Sequence, residues 1–193
     1  VPECISNVLA VKSDFYMLLQ CPDHNGIFSS KALDILKQNI SNYTILSIGN
    51  GMQKNNVTIA LVEQALKSDK KIVLDADAIW AAGKNIDLLK REAITILTPH
   101  IKEMSDLTGI HITTILANPF EVARDFSKEY KKCVLILKSS QTFIAYQGSV
   151  FVLDAQNAGL AKGGSGDILC GIVVAMLGQT KNPLQAALCA AYI

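Results

Sequence analysis

The sequence predicts an α/β domain of three layers, with helices on both faces of a mainly parallel central sheet. Three observations lead there. Short apolar runs alternate with helical patterns along the 193 residues, as expected of parallel strands joined by crossover helices. The runs stop at glycine, aspartate or proline, the residues that punctuate strand ends. A chain of this length, half of it hydrophobic, has the natural size of one domain with a substantial core.

Each element can be justified in order. Residues 15–19 read as a strand, followed by a polar turn over residues 21–26. Residues 44–48 are a short apolar run ending at Gly49, a buried strand. Residues 57–67 place Val57, Ala60, Leu61 and Ala65 near one face of a helix. Lys71–Leu74 is a strand ending in the acidic Asp75-Ala76-Asp77. Residues 93–97 form a strand halted by Pro99, because the residue before proline resists helical geometry. Pro119 opens a helix over residues 119–131, where its missing N–H costs nothing. Residues 134–137 are a strand, and 142–146 with 150–153 read as a β-hairpin turned by Gln147-Gly148-Ser149. Helices over 166–177 and 183–191 close the chain, the first expected to bury Ile168, Leu169, Ile172, Val173 and Met176. Residues 1–193 are read as one domain cut at both ends. Val1-Pro2-Glu3 reads as if leaving a strand, and the chain stops at Ile193 inside an apolar helical pattern without a C-cap signal.

Composition excludes several classes of function. The net charge of +1, from 18 basic and 17 acidic residues, gives no electrostatic basis for nucleic-acid binding. No apolar run is long enough to cross a bilayer, and no secretory signal opens the chain. Cys4, Cys21, Cys133, Cys170 and Cys189 are scattered without a C-x-x-C pair. They read as reduced thiols of a cytoplasmic protein. The three histidines lie far apart, without zinc-ligand spacing.

The most informative stretch is NAGLAKGGSGDILCGIVVAMLGQ, residues 157–179. Gly163-Gly164-Ser165-Gly166 runs into Asp167 and an apolar helical pattern. Such a junction offers free N–H groups at the positive end of a helix dipole, a ready anion site. Asp167 then stands where a general base could face the anion, although aspartate also commonly begins helices. Asn157 and Lys162 flank the motif. Elsewhere, Gly49-Asn50-Gly51 follows a strand and is either a close ligand approach or an ordinary turn. Asp75 and Asp77 are either site carboxylates or turn residues. His100 follows Pro99 at a strand end, and Thr98 with Glu103 suits a helix cap. Lys138, Ser139, Ser140, Gln141 and Thr142 bring a cation, hydroxyls and turn N–H groups to another strand end, either chemistry suited to phosphate or a polar hairpin loop. Every motif falls at a predicted strand end or helix start, where ligands gather in parallel sheets.

The GGSGD element and its helix resemble the ADP/ATP-dependent NAD(P)H-hydrate dehydratase family of the ribokinase-like superfamily. LDADAIW (residues 74–80), LTPHIKE (97–103) and LKSSQTFI (137–144) are similar to further motifs of that family, in the same order. IGNGMQ (48–53) is similar to its GPGLG turn, with Asn50 in place of the proline and Gln53 in place of the last glycine. Glycine is usual where Ser139 stands. The resemblance implies a ribokinase-like fold and repair of hydrated nicotinamide cofactors. It makes Asp167 the catalytic base. Gly51, His100 and Asp167 would contact the hydrate. Lys138, Ser139, Ser140, Gln141, Thr142, Gly164, Ser165 and Gly166 would bind ADP or ATP, with Mg2+ accompanying the nucleotide and no protein side chain bound to it directly. Asp75, Asp77, Glu103 and Asn157 are added as further site positions, Glu103 through magnesium-bound water. A homo-oligomer and a fused or separate epimerase are also implied. Two rival readings stand beside this one: a kinase for a vitamin precursor on the same fold, and a non-catalytic nucleotide-binding domain.

Overall fold

The structure is a computed structural model describing residues 1–12, 17–154 and 162–193. The chain begins with a helix, α1 (Glu3–Lys12), where the sequence reads as if leaving a strand. Pro2 instead bridges to Cys21. Met17–Leu19 forms no strand, and Phe15 and Tyr16 lie outside the described residues. The expected polar turn is part of a small hairpin, β1 (Asp23–His24) and β2 (Ile27–Phe28), turned through Asn25 and Gly26. Helix α2 (Lys31–Asn39) follows.

The main sheet has six strands laid side by side in chain order. They are β3 (Ile45–Ile48), β4 (Lys71–Leu74), β5 (Thr95–Leu97), β6 (Cys133–Lys138), β7 (Thr142–Tyr146) and β8 (Ser149–Leu153). The first four are parallel, while β7 and β8 form the expected hairpin. In the parallel part Ile48 aligns with Leu74, Leu74 with Leu97, and Leu97 with Leu135. Four carboxyl ends are thereby brought to one edge of the sheet.

Alternation along the strands sorts the core into two layers. Ile72, Leu74, Leu97, Leu135 and Leu137 bury one way, against α3 (Asn56–Leu66), α4 (Asp77–Ala82), α5 (Ile101–Thr108), α6 (Ile112–Ala117) and α7 (Pro119–Glu129). Val73, Ile96, Val134, Ile136 and Ile144 bury the other way, against α8 (Ser165–Gln179) and α9 (Pro183–Tyr192). A sheet whose parallel strands advance one place at a time, through crossovers of a single hand, stacks its connecting helices on one face. The second face is left for α8 and α9. This is the three-layer arrangement the alternation predicts.

Helix α8 buries Cys170, Val173 and Leu177, while Ile168 is 65% exposed. Of the expected face, Val173 is buried and Leu169, Ile172 and Met176 pack against the same core, so the expectation fails at Ile168. The helix is apolar on nearly every side, so spacing alone does not select the buried stripe. Among the described residues no helix is long and apolar enough to cross a membrane.

Candidate active site

The parallel strands deliver Gly49, Asp75, Thr98 and Lys138 to one edge of the sheet. Backbone pairing continues past the strands. Asp75 N donates to Ile48 O at 3.1 Å, Thr98 N to Leu74 O at 3.2 Å, and Lys138 N to Pro99 O at 2.8 Å. The strand ends are thus locked to one another before any side chain is considered. Gly49 is needed for this closeness. Its φ is +132°, and a Cβ there would lie 1.8 Å from the Asp75 carbonyl oxygen.

Asp75 is the buried centre of the site, only 3% exposed. Its Oδ1 accepts from the Thr98 hydroxyl at 2.7 Å and from Lys138 Nζ at 3.3 Å. Its Oδ2 accepts from Asn50 Nδ2 at 3.0 Å. Burying a carboxylate is costly unless it is paired and hydrogen-bonded, and Asp75 has both kinds of partner. The same Asn50 nitrogen also donates to Oδ1 of Asp167. One amide therefore joins two carboxylates that are 92 residues apart in the chain (167 minus 75).

Asp167 lies in the first turn of α8, where a negative charge is favoured by the helix dipole. The residue capping that helix is Gly164, at φ +93°, and no side chain occupies the cap. A Cβ at Gly164 would meet nothing within 4 Å among the described residues, so there is open space beside the glycine that begins the helix. Of the three glycines near the helix start, Gly163, Gly164 and Gly166, Gly164 alone has positive φ; Gly166 is helical. A Cβ on Gly166 would lie 3.5 Å from Lys138 Nζ. The lysine ammonium therefore sits beneath the helix start, between Asp75 and the glycine turn. Cys170, one turn further on, is paired with Ser47 at 3.1 Å. Burial pushes its thiol up, the serine contact opposing.

Other expected residues are placed differently. Asp77 does not join Asp75, because Ala76 turns the chain at φ +48°. Asp77 instead accepts from Gln53 N at 2.9 Å and fixes the loop that carries Gly51. Glu103 does take part in a cap, but with His100 rather than Thr98. His100 Nδ1 accepts from the N–H groups of Lys102 and Glu103, and Glu103 Oε2 accepts from His100 N at 2.8 Å. Glu103 Oε1 also lies 3.3 Å from His100 Nε2, so both ring nitrogens are engaged within one turn. Thr98 is absorbed by Asp75. His100 remains half exposed and bridges to Lys138, so those two residues are neighbours across adjacent strands. Ser139, Ser140 and Gln141 form a tight turn closed by Ser139 N to Gln141 O, with the Gln141 side chain on Asp154. Thr142 starts β7 opposite Lys138. Asn157 lies outside the described residues.

Sequence reasoning missed the bridging part of Asn50 and the anchoring part of Thr98. Position 50 was visible only as a departure from a family turn, with nothing to say what its amide reaches.

Comparison with known proteins agrees with the fold. The NAD(P)H-hydrate dehydratase family model matches residues 6–193. The bifunctional NAD(P)H-hydrate repair enzyme of Moorella thermoacetica is 34% identical over 197 residues, covering 100% of this chain and 37% of that protein. The ADP-dependent (S)-NAD(P)H-hydrate dehydratase of Bacillus subtilis is 33% identical over 152 residues, covering 78% of this chain and 53% of that protein. The crystal structure of the B. subtilis ADP/ATP-dependent enzyme, co-crystallized with ATP and Mg2+, superposes with a TM-score of 0.67 at 31% identity, over 78% of this chain and 53% of that one. A ribokinase-like superfamily protein of Enterococcus faecalis reaches a TM-score of 0.75 at 21% identity, covering 97% of this chain and 62% of that one, which is a likeness of fold alone. The chain thus spans roughly a third to a half of these two curated relatives. Matched by the family model over nearly all its residues, and carrying the ribokinase-like three-layer fold, the chain belongs to the NAD(P)H-hydrate dehydratase family.

Proposed function

We propose that this chain forms the dehydratase site of a nicotinamide-repair enzyme, converting NAD(P)H hydrate to NAD(P)H at the expense of ADP or ATP. The observation that carries the proposal is the meeting of Asp167, Asn50, Asp75 and Lys138 beneath the open glycine start of α8. The site places a carboxylate with one oxygen engaged beside a helix terminus able to receive a phosphate. That arrangement suits transfer of a phosphoryl group to a hydroxyl.

In this reading Asp167 takes the proton of the C6 hydroxyl of the hydrated nicotinamide. The oxygen attacks the terminal phosphorus of the nucleotide, forming the C6–O–P ester and releasing the shortened nucleotide. The N–H groups around Gly164, Ser165 and Gly166 stabilise charge on the transferred group, with Lys138 close beneath them. Phosphate then leaves with the C6–O bond electrons while the neighbouring carbon loses a proton, restoring the ring double bond. Hydroxide is a poor leaving group and phosphate a good one, which accounts for the nucleotide requirement.

Gly51 and His100 are proposed on the hydrate side, and Lys138 to Thr142 on the nucleotide side. The B. subtilis relative was crystallized with ATP and Mg2+, which supports magnesium entering with the nucleotide. The proposed arrangement is an ion held by the nucleotide phosphates and water, with Glu103 within its outer sphere. A cytoplasmic setting, self-association and a fused or separate epimerase are proposed on the same family likeness.

The test is to mix the protein with NADH hydrate and ADP or ATP and follow the absorbance of NADH. Nucleotide-dependent return of NADH is expected. Formation of a stable phosphate ester without NADH would make the protein a kinase, and nucleotide binding without either product would make it a binding domain.

A further inference from the structure

We infer that Asn50 is a positioning residue, whose side-chain amide holds Asp167 against the buried carboxylate of Asp75 and leaves Oδ2 of Asp167 as the oxygen that takes the proton. This rests on the reading of Asp167 as the base. Asn50 Nδ2 donates to Asp75 Oδ2 at 3.0 Å and to Asp167 Oδ1. A primary amide nitrogen has two hydrogens, so it serves two acceptors at once. Only the nitrogen end suits this place, since the amide oxygen would face two carboxylates.

The two acceptors differ in freedom. Asp75 is buried and immobilised by Thr98 and Lys138 on its other oxygen. Asp167 is exposed, and no other described residue is recorded as donating to its carboxylate. Asp75 therefore acts as a fixed post, Asn50 as the link and Asp167 as the group being steered. The link is itself well seated. Gly49 is pressed against the Asp75 carbonyl, so the Asn50 backbone cannot drift from β4. Without the amide hydrogens, two anions would be left in proximity with nothing between them. The exposed one would turn away into water, and the base would spend most of its time misaligned.

The link acts on orientation rather than on ligand affinity, which separates it from a merely structural role. Asn50→Ala should lower kcat by roughly tenfold to a hundredfold, the scale for a misplaced catalytic group, while KM for hydrate and for nucleotide stays within about twofold. Asn50→Asp, isosteric but lacking the donor, should lose at least as much. In an Asp167→Asn background, Asn50→Ala should cost almost nothing further, because the group it positions is already disabled. A second readout does not depend on activity. The side-chain amide signals of Asn50 in a nitrogen–proton NMR spectrum should move in Asp167→Ala. Because Asn50 is exposed, its substitution is expected to leave folding intact, checked by thermal melting. Equal losses in the wild-type and Asp167→Asn backgrounds, or an unchanged kcat, would overturn the positioning role. Amide signals unmoved by Asp167→Ala would overturn the bridge even in an active enzyme. A wild-type protein without dehydratase activity would instead sink the functional reading, and the positioning role with it.

Discussion

The candidate site has two walls of opposite character. One is built from the ends of β3 to β6, where backbone bonds join neighbouring strands and the polar side chains hold one another. Asp75, Thr98 and Lys138 belong to it, and its carboxylate has a partner on each oxygen. The other wall is the start of α8, with no side-chain cap, open space beside Gly164 and an exposed Asp167 tethered through one oxygen. Both walls contribute an aspartate. The difference teaches that residue type does not assign role. On the proposed reading, the aspartate with donors on both oxygens is the anchor, and the one with a free oxygen is the base.

The largest expected effect breaks the first wall. Asp75→Ala strips Lys138 of its partner and Asn50 of one acceptor, and should destabilise the fold by about 3 kcal/mol, the low end for breaking a buried pair because the lysine is partly exposed. Chemical denaturation measures it, and an unchanged midpoint would mean Asp75 is not an anchor. Asp167→Asn attacks the second wall alone. Turnover should fall by about a hundredfold or more, the range for losing a general base, with stability and nucleotide affinity little altered. Wild-type turnover in that variant would remove Asp167 from the chemistry. Gly164→Val should weaken nucleotide binding by about tenfold or more, since a branched residue resists φ +93° and its side chain would enter the space open to a phosphate. Calorimetric titration with ADP decides this, and undiminished affinity would move the phosphate site elsewhere. The smallest effect sits between the walls. His100→Ala should cost about 1 kcal/mol of stability through the lost helix cap, and should raise KM for the hydrate while sparing that for ADP. A KM change for ADP instead would place His100 on the nucleotide side.

Much of the sheet was legible because its signals are local. The runs ending at Gly49, Asp75 and Pro99, and the hairpin around Gly148, are strands whose limits a few residues announce. Helices α4, α5 and α6 were not, since six to eight residues are too short for a periodic pattern to be told from a loop. Residues 1–3 misled for a related reason, as a proline before a short helix also looks like a strand exit. Within the site, the glycine start of α8 was legible from its own residues, whereas Asp75 and Lys138 were drawn to the site only by the family resemblance. The bond network was not. Asn50 finds its partners 25 and 117 positions away, and spacing carries no information about contacts across the sheet. The cap on α5 shows the converse, since Glu103 does belong to it but its partner is His100, three residues back, and not Thr98. Thr98 could not cap because Asp75, brought alongside by β4, already holds its hydroxyl.

The most direct test of the account is the stoichiometry of products from NADH hydrate and nucleotide, with orthophosphate and NADH measured in the same sample. The account predicts one orthophosphate released for each NADH formed, both dependent on nucleotide and both lost together in Asp167→Asn. Consumption of nucleotide with phosphate retained on the hydrate, and no NADH, would contradict it.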